Sequence, residues 1–247
     1  MRPAEYQAMF YAEQNHWWYR ALHRLVFQTL EQELPDWRQK SILDAGCGTG
    51  AILEQLGNPA RNVGVDLAPE AIALCRKRGL TNVVQADVAA LPFGDNNFDA
   101  VISSSVIYHQ WVNNPAEVLR ELGRVLRPGG LLLLNVPAFQ FLHSAHDEAV
   151  MTARRFRRKD VRRLVQQSGF LIRRITYWTA FLFPVALLAR TFRLSGVGRD
   201  FGDQEYHPSW RDRLFWMITS TEVRLLRRIS LPFGVDLFAV AIKKPPA

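Results

Sequence analysis

The chain has 247 residues, 48% of them hydrophobic, with 31 Lys and Arg against 23 Asp and Glu, a net charge of +8 and a pI near 9.9. This suits one α/β domain with insertions, and no run reaches the ~18 apolar residues of a membrane span. Two cysteines, Cys47 and Cys75, are too few for a disulfide framework or a zinc site, and no cluster has metal-ligand spacing. The cationic excess leaves nucleic acid or an anionic membrane open as partners. Met1 to Arg20 has no signal-peptide pattern, so a cytoplasmic location is expected.

Residues 1–38 read as an aromatic helical cap, with Tyr6, Phe10, Tyr11 and His16-Trp17-Trp18-Tyr19-Arg20, stopped by Pro35-Asp36. Strands and helices then alternate over 40–137. Ser41–Leu43 predicts a first strand, and Ala51–Leu56 the start of a helix. Between them, Asp44-Ala45-Gly46-Cys47-Gly48-Thr49-Gly50 turns through three glycines. Glycine accepts positive φ and admits a ligand close to the backbone. Such a turn is where an open α/β sheet binds a nucleotide-like ligand, but the spacing is not the Gly-x-Gly-x-x-Gly of dinucleotide enzymes. Asn62–Asp66 and Val83–Asp87 predict strands that each close on an acid, with a helix over Pro69–Gly79 between them. Phe98–Ser103 predicts the fourth strand, Pro115–Leu126 a helix, Arg127–Gly130 a turn and Leu131–Val136 a strand buried on both faces. The remainder, 138–247, reads as a lid at Phe139–Thr152, a basic helix at Arg157–Ser168 and a strand at Phe170–Tyr177. An apolar helix at Thr179–Leu194, a loop at Ser195–His207, a helix at Trp210–Ile229 and a last strand at Val235–Lys243 follow. One domain is expected over 1–247.

Leu43–Gly50, Gly64-Val65-Asp66, Ala86-Asp87-Val88 with Leu91-Pro92-Phe93 and Asn97-Phe98-Asp99, and Val125–Gly130 resemble the motifs of class I S-adenosylmethionine-dependent methyltransferases, small-molecule type 11-like subgroup. The resemblance covers roughly 40–137. It implies a Rossmann-like, seven-stranded, mostly parallel sheet with helices on both faces and an antiparallel last strand. It also implies S-adenosyl-L-methionine as cofactor, S-adenosyl-L-homocysteine as product, and in-line transfer of a methyl group. In this reading Asp44, Gly46, Gly48 and Gly50 hold the methionine end, Asp66 with Leu67 the ribose, and Asp87 with Val88 the adenine. Ser104, Tyr19 and Arg20 complete the cofactor site, Arg20 reaching the methionine carboxylate.

The tip of the fourth strand faces the transferred methyl in this family, and here it continues into Ser105-Val106-Ile107-Tyr108-His109. His109 is the candidate general base, since an imidazole titrates near neutrality; lining the pocket is the other reading. Tyr11, Trp18, Tyr108 and Phe139 are expected to wall the acceptor pocket. The chain also resembles a bacterial subgroup with His-Trp-Trp-Tyr, a His-Asp pair and a later Arg-Arg-aromatic, here His16–Tyr19, His146-Asp147 and Arg154-Arg155-Phe156. Thr152 stands where that subgroup has a histidine. His146 and Asp147 either bind or deprotonate an acceptor or form a surface turn. The acceptor reads as a small-molecule or lipid-linked metabolite, in natural-product or glycan and lipid biosynthesis. An RNA or DNA methyltransferase and a non-catalytic cofactor-binding scaffold are the alternatives; no Asn/Asp-Pro-Pro-aromatic follows the fourth strand, which disfavours nucleic acid. The apolar stretch 177–194, with Arg190 and Arg193, caps the pocket, docks on a membrane surface or forms a homodimer face.

Overall fold

Seven extended runs pair into one sheet in a computed structural model that describes residues 2–191 and 209–245. They are β1 (Ile42–Ala45), β2 (Val63–Asp66), β3 (Val83–Gln85), β4 (Phe98–Ser104), β5 (Leu126–Pro137), β6 (Phe170–Trp178) and β7 (Asp236–Lys243). The order is β3-β2-β1-β4-β5-β7-β6. β1 to β5 are parallel, and β7 runs antiparallel to β5 and β6. This is the sheet the family resemblance implies. The helices are α1 (Pro3–Ala12), α2 (Trp17–Glu33), α3 (Ala51–Leu56), α4 (Pro69–Lys77), α5 (Pro115–Val125), α6 (Ala145–Ala149), α7 (Arg158–Gln167), α8 (Phe183–Thr191) and α9 (Trp210–Leu225).

The unbroken apolar run Leu131–Val136 shows why helices cover both faces. Successive strand side chains point to opposite sides. Leu132, Leu134 and Val136 pack with Leu119 and Leu122 of α5 and Val161 and Val165 of α7. Leu131 and Leu133 pack with Leu22, Leu25 and Leu30 of α2 and Val223 of α9. Fully burying a leucine contributes roughly 1.5–3 kcal/mol, so the two layers clamp the central strands from both sides.

Several boundaries differ from expectation. The N-terminal segment is two helices, because His16 is extended and caps α2, its Nδ1 accepting from the Trp18 amide at 3.3 Å. The expected turn at Arg127–Gly130 lies inside β5, bulging while Leu126 still pairs with Phe98. The Phe139–Thr152 segment contains α6, whose Ser144 and Asp147 form a capping box. α8 starts at Phe183 rather than Thr179: Thr179 is left-handed at φ +57°, and Glu222 accepts the Phe181 amide at 2.8 Å, holding the chain out of a helix. The rest of that expected helix, with Arg193, and the Ser195–His207 loop lie outside the described residues, as does the side chain of Arg190. No described helix is long and apolar enough to cross a membrane.

Candidate active site

The site begins at the carboxyl end of β1. Gly46, Gly48 and Gly50 have φ of +82°, +56° and +87°, conformations that disfavour an L side chain. Gly46 is doubly constrained, since a Cβ there would fall 2.2 Å from the Val106 side chain. The turn is tied to the next strand tip by Asp66, which accepts from the Gly48 amide at 2.9 Å and the Ala68 amide at 3.0 Å. Burial pushes the Asp66 carboxyl up, and those two amides oppose the shift. Asp44 lies at the foot of the turn, 2% exposed, and its Oδ2 has no hydrogen-bond partner. Burial, then the fields of Glu13 and Asp66, push its pKa up to about 8.

The N-terminal helix closes over this turn, which the sequence reading placed only loosely. Glu13, just past α1, is buried, accepts from the Thr49 hydroxyl and pairs with Arg78 at 2.9 Å. Arg78 also donates to the Thr49 carbonyl at 2.9 Å. Burial pushes Glu13 up to about 7, against the pull of Thr49 and Arg78. Met9 packs against Gly48, with its Cε 2.6 Å from where a Cβ would stand. The Tyr6 phenol is raised by burial and then by the fields of Asp66 and Glu70, with Tyr108 contributing. Two expectations are corrected here. Arg20 is exposed and lies over the Trp216 ring at 4.1 Å, so the guanidinium at the turn is that of Arg78. Tyr11 sits by Lys77, 5.7 Å from its ammonium, and Tyr6 faces the site instead, because the helical turn between them reverses their aspect.

Asp87 lies past the end of β3, exposed, with Oδ1 accepting from the Ala89 amide at 2.8 Å. Val88 is buried in the core and Leu67 is exposed at the tip of β2.

Three strands on this half of the sheet end in non-glycine residues with left-handed backbone: Ser105 after β4, Phe139 after β5 and Thr179 after β6. Each costs roughly 1–2 kcal/mol, and such strain gathers at functional sites. Because β7 is antiparallel, its first residue, Asp236, lies at this same edge. Asp236 accepts from the Trp18 indole at 3.1 Å and the Thr179 hydroxyl at 3.3 Å. Trp18 stacks on Trp178 at 5.6 Å, and the Trp178 indole donates to Asn135 at 2.8 Å. Tyr108 is held by Ser105 and pushed up to about 12 by burial, then by Asp147, with Asp236 adding to it. The hydroxyls of Ser103 and Ser104 at the tip of β4 have no partner. Phe139 stacks on Tyr177 at 5.0 Å and meets Phe183 of α8 edge-on.

The structure brings the separated motifs together. His16 lies in the fields of His146 and Asp212, and burial pushes it down to about 4. Asp147 forms a buried ion pair with Arg155 at 2.8 Å, and Arg155 donates to the Ala138 carbonyl at 2.6 Å. Asp147 is therefore a structural anchor of the loop rather than a surface turn. His109, the candidate base, is half-buried in the loop after β4. Its Nδ1 accepts from the Trp111 amide at 3.4 Å, its ring interacts with the Val150 backbone, and burial pushes it down to about 4. Such an imidazole is neutral at pH 7 but weakly basic.

Asp236, Glu222, Glu13 and Arg78 were missed by sequence reasoning. Only Asp236 had a signal: an acid opening the antiparallel strand reaches the same edge as acids closing parallel ones.

The donor set suits one ligand chemistry. The bare Asp44 oxygen matches an ammonium, and Asp66 keeps lone pairs for a vicinal diol. The fold is an open α/β sheet with its candidate site at the carboxyl ends of the parallel strands, where such sheets bind ligands. Residues 43–134 match the family model described as a methyltransferase domain, the stretch whose motifs resemble the class I S-adenosylmethionine-dependent methyltransferases. A probable S-adenosylmethionine-dependent methyltransferase of Mycobacterium tuberculosis is 37% identical over 126 residues, covering 50% of this chain and 43% of that one. The human probable tRNA methyltransferase 9B is 36% identical over 116 residues, covering 47% and 24%. The chain spans less than half the length of these curated relatives. Among solved structures, the methyltransferase in complex with the Trm112 activator of Haloferax volcanii superposes with a TM-score of 0.61 at 20% identity, covering 99% of this chain and 95% of that one. That likeness carries the fold alone.

Proposed function

We propose that the chain binds S-adenosylmethionine at the β1–β2 turn and transfers its methyl group to a small-molecule acceptor at the β4–β7 edge. The observation that carries this reading is Asp44, a buried carboxylate with an unpartnered oxygen beside a left-handed glycine turn that Asp66 braces. The cofactor supplies a methyl on a sulfonium, whose thioether is a good leaving group. The residues then have to align the acceptor and exclude water. Asp44 takes the methionine ammonium, Asp66 the ribose hydroxyls, and Asp87 with Val88 the adenine edge. Tyr6 and Met9 cover the turn, and Trp18, Tyr108 and Phe139 wall the acceptor side. α8 caps this wall through Phe183. His109 lines the loop rather than serving as base.

An RNA acceptor is the second reading. It is favoured by a groove of about 520 Å³ on α7 lined by Arg158, Lys159, Arg162 and Arg163. Methyl-labelled cofactor separates the two. Label is expected in the acid-soluble products of a metabolite extract and absent from precipitated RNA. RNA labelling with binding that weakens steeply in salt establishes the second reading. Cofactor binding without label in either fraction marks a scaffold.

A further inference from the structure

The chain is strongly basic, yet six acids are buried among the described residues: Glu13, Asp44, Asp66, Asp147, Glu222 and Asp236. Two are matched by guanidinium groups, Glu13 by Arg78 and Asp147 by Arg155. Asp44 and Asp66 belong to the cofactor turn. Asp236 and Glu222 lie on the acceptor side and feel each other's field, which adds to the burial that raises the Glu222 carboxyl. A pair of carboxylates alone marks no ligand. A second observation does: Glu222 is 1% exposed and its Oε2 takes the Phe181 amide, with the Ala180 and Thr179 backbone pulling on the carboxyl from the same turn, yet its Oε1 atom has no hydrogen bond of ordinary geometry. Leaving such an oxygen bare costs on the order of 1–3 kcal/mol, and a cationic donor would satisfy it. The surroundings are aromatic as well. The Trp18 indole is fixed by Asp236, and the Tyr108 phenol lies in the field of Asp236. Aromatic faces beside carboxylates favour a cation and repel phosphate and carboxylate groups.

Building on the methyltransferase reading, we propose that the acceptor is a primary or secondary amine, seated against Asp236 and methylated on nitrogen. In solution such an amine is an ammonium ion and not a nucleophile. The Asp236 carboxylate binds it and takes one proton, leaving a neutral nitrogen. The nitrogen lone pair forms the N–C bond as the C–S bond breaks, and the C–S electron pair stays on sulfur. The product is a methylated ammonium, and Asp236 returns its proton to solvent on release. Thr179, strained at φ +57° and bonded to Asp236, is a positioning residue that aims the carboxylate.

The test uses the full chain saturated with S-adenosylhomocysteine and three probes of one shape: 2-phenylethylamine, 2-phenylethanol and phenylacetate. The amine is expected to bind at least tenfold more tightly than either analogue. Asp236→Asn should erase that preference while leaving S-adenosylhomocysteine affinity within threefold. Equal or tighter binding of the alcohol or the acid, no binding of the amine, or a preference that survives in Asp236→Asn overturns the proposal. Should Asp236→Asn fail to fold, the wild-type comparison still decides, with Glu222→Gln, expected to lower amine affinity several-fold, as the second variant. Failure of S-adenosylhomocysteine itself to bind would instead sink the methyltransferase reading.

Discussion

At the residue scale, burial changes what a carboxyl can do. Asp44 carries a folded pKa of about 8 against an ordinary value of 3.8, so the free protein holds it protonated at neutral pH. Pairing with an ammonium requires the ionised form. Cofactor binding should therefore release a proton below pH 8, and affinity should rise up to tenfold per pH unit between pH 6 and 8. Calorimetry in two buffers of different ionisation enthalpy measures that proton; an uptake, or no dependence on buffer, contradicts the role of Asp44. His109 is the opposite case. Pushed down to about 4, it titrates well outside neutrality, so His109→Gln should leave the shape of the pH–rate profile between pH 6 and 8 unchanged. The identity of His109 was legible in the sequence, but its environment was not. The hydrogen bond from Trp111 and the closure of the loop carrying Val150 depend on folding.

At the element scale, α1 is held to the glycine turn by Glu13, and that contact titrates. The folded pKa of Glu13, about 7, lies above its ordinary value of 4.5. The folded state thus holds the proton more tightly, and the stability it contributes is fully present below pH 4.5 and lost as pH rises to about 7. The change is at most about 3 kcal/mol. Asp44 and the buried histidines also titrate in this range, so the test is the difference between two proteins: urea denaturation from pH 4.5 to 7.5 should show Glu13→Gln gaining on the wild type by up to about 3 kcal/mol as pH rises, and a constant difference would show that Glu13 is not a group responsible. The carboxyl edge offers a second test. A Cβ on Gly234 would fall 2.3 Å from the Trp178 carbonyl, so Gly234→Ala should destabilise by about 1–3 kcal/mol. Gly94→Ala, with open space around it, is the control. Most of the alternating elements could be read from the sequence, because apolar runs bounded by glycine, proline and acids report local preference. The gap at Glu13–His16 and the delayed start of α8 could not. The first combines the His16 cap of α2 with Glu13 reaching the distant Arg78 and Thr49, and the second depends on the distant Glu222.

At the scale of the whole molecule, a cationic exterior surrounds an acidic working edge. The parallel strands deliver Asp44 and Asp66 to that edge by their ends, and the antiparallel β7 delivers Asp236 by its beginning. The cofactor half could be read in sequence because its residues lie within one continuous motif region. The acceptor half could not, since Trp18, Tyr108, Thr179, Glu222 and Asp236 meet only through the fold. The most direct test is calorimetric titration of S-adenosylhomocysteine into the wild type and Asp66→Ala. Removing Asp66 frees the Gly48 and Ala68 amides as well as a ligand carboxylate, and charge-assisted bonds of this kind contribute about 1.5–3 kcal/mol each. The expected result is one site per chain in the wild type and affinity weakened about 100-fold or more in a folded Asp66→Ala. Absence of binding to the wild type, or equal affinity in the two proteins, would contradict a cofactor site at this turn.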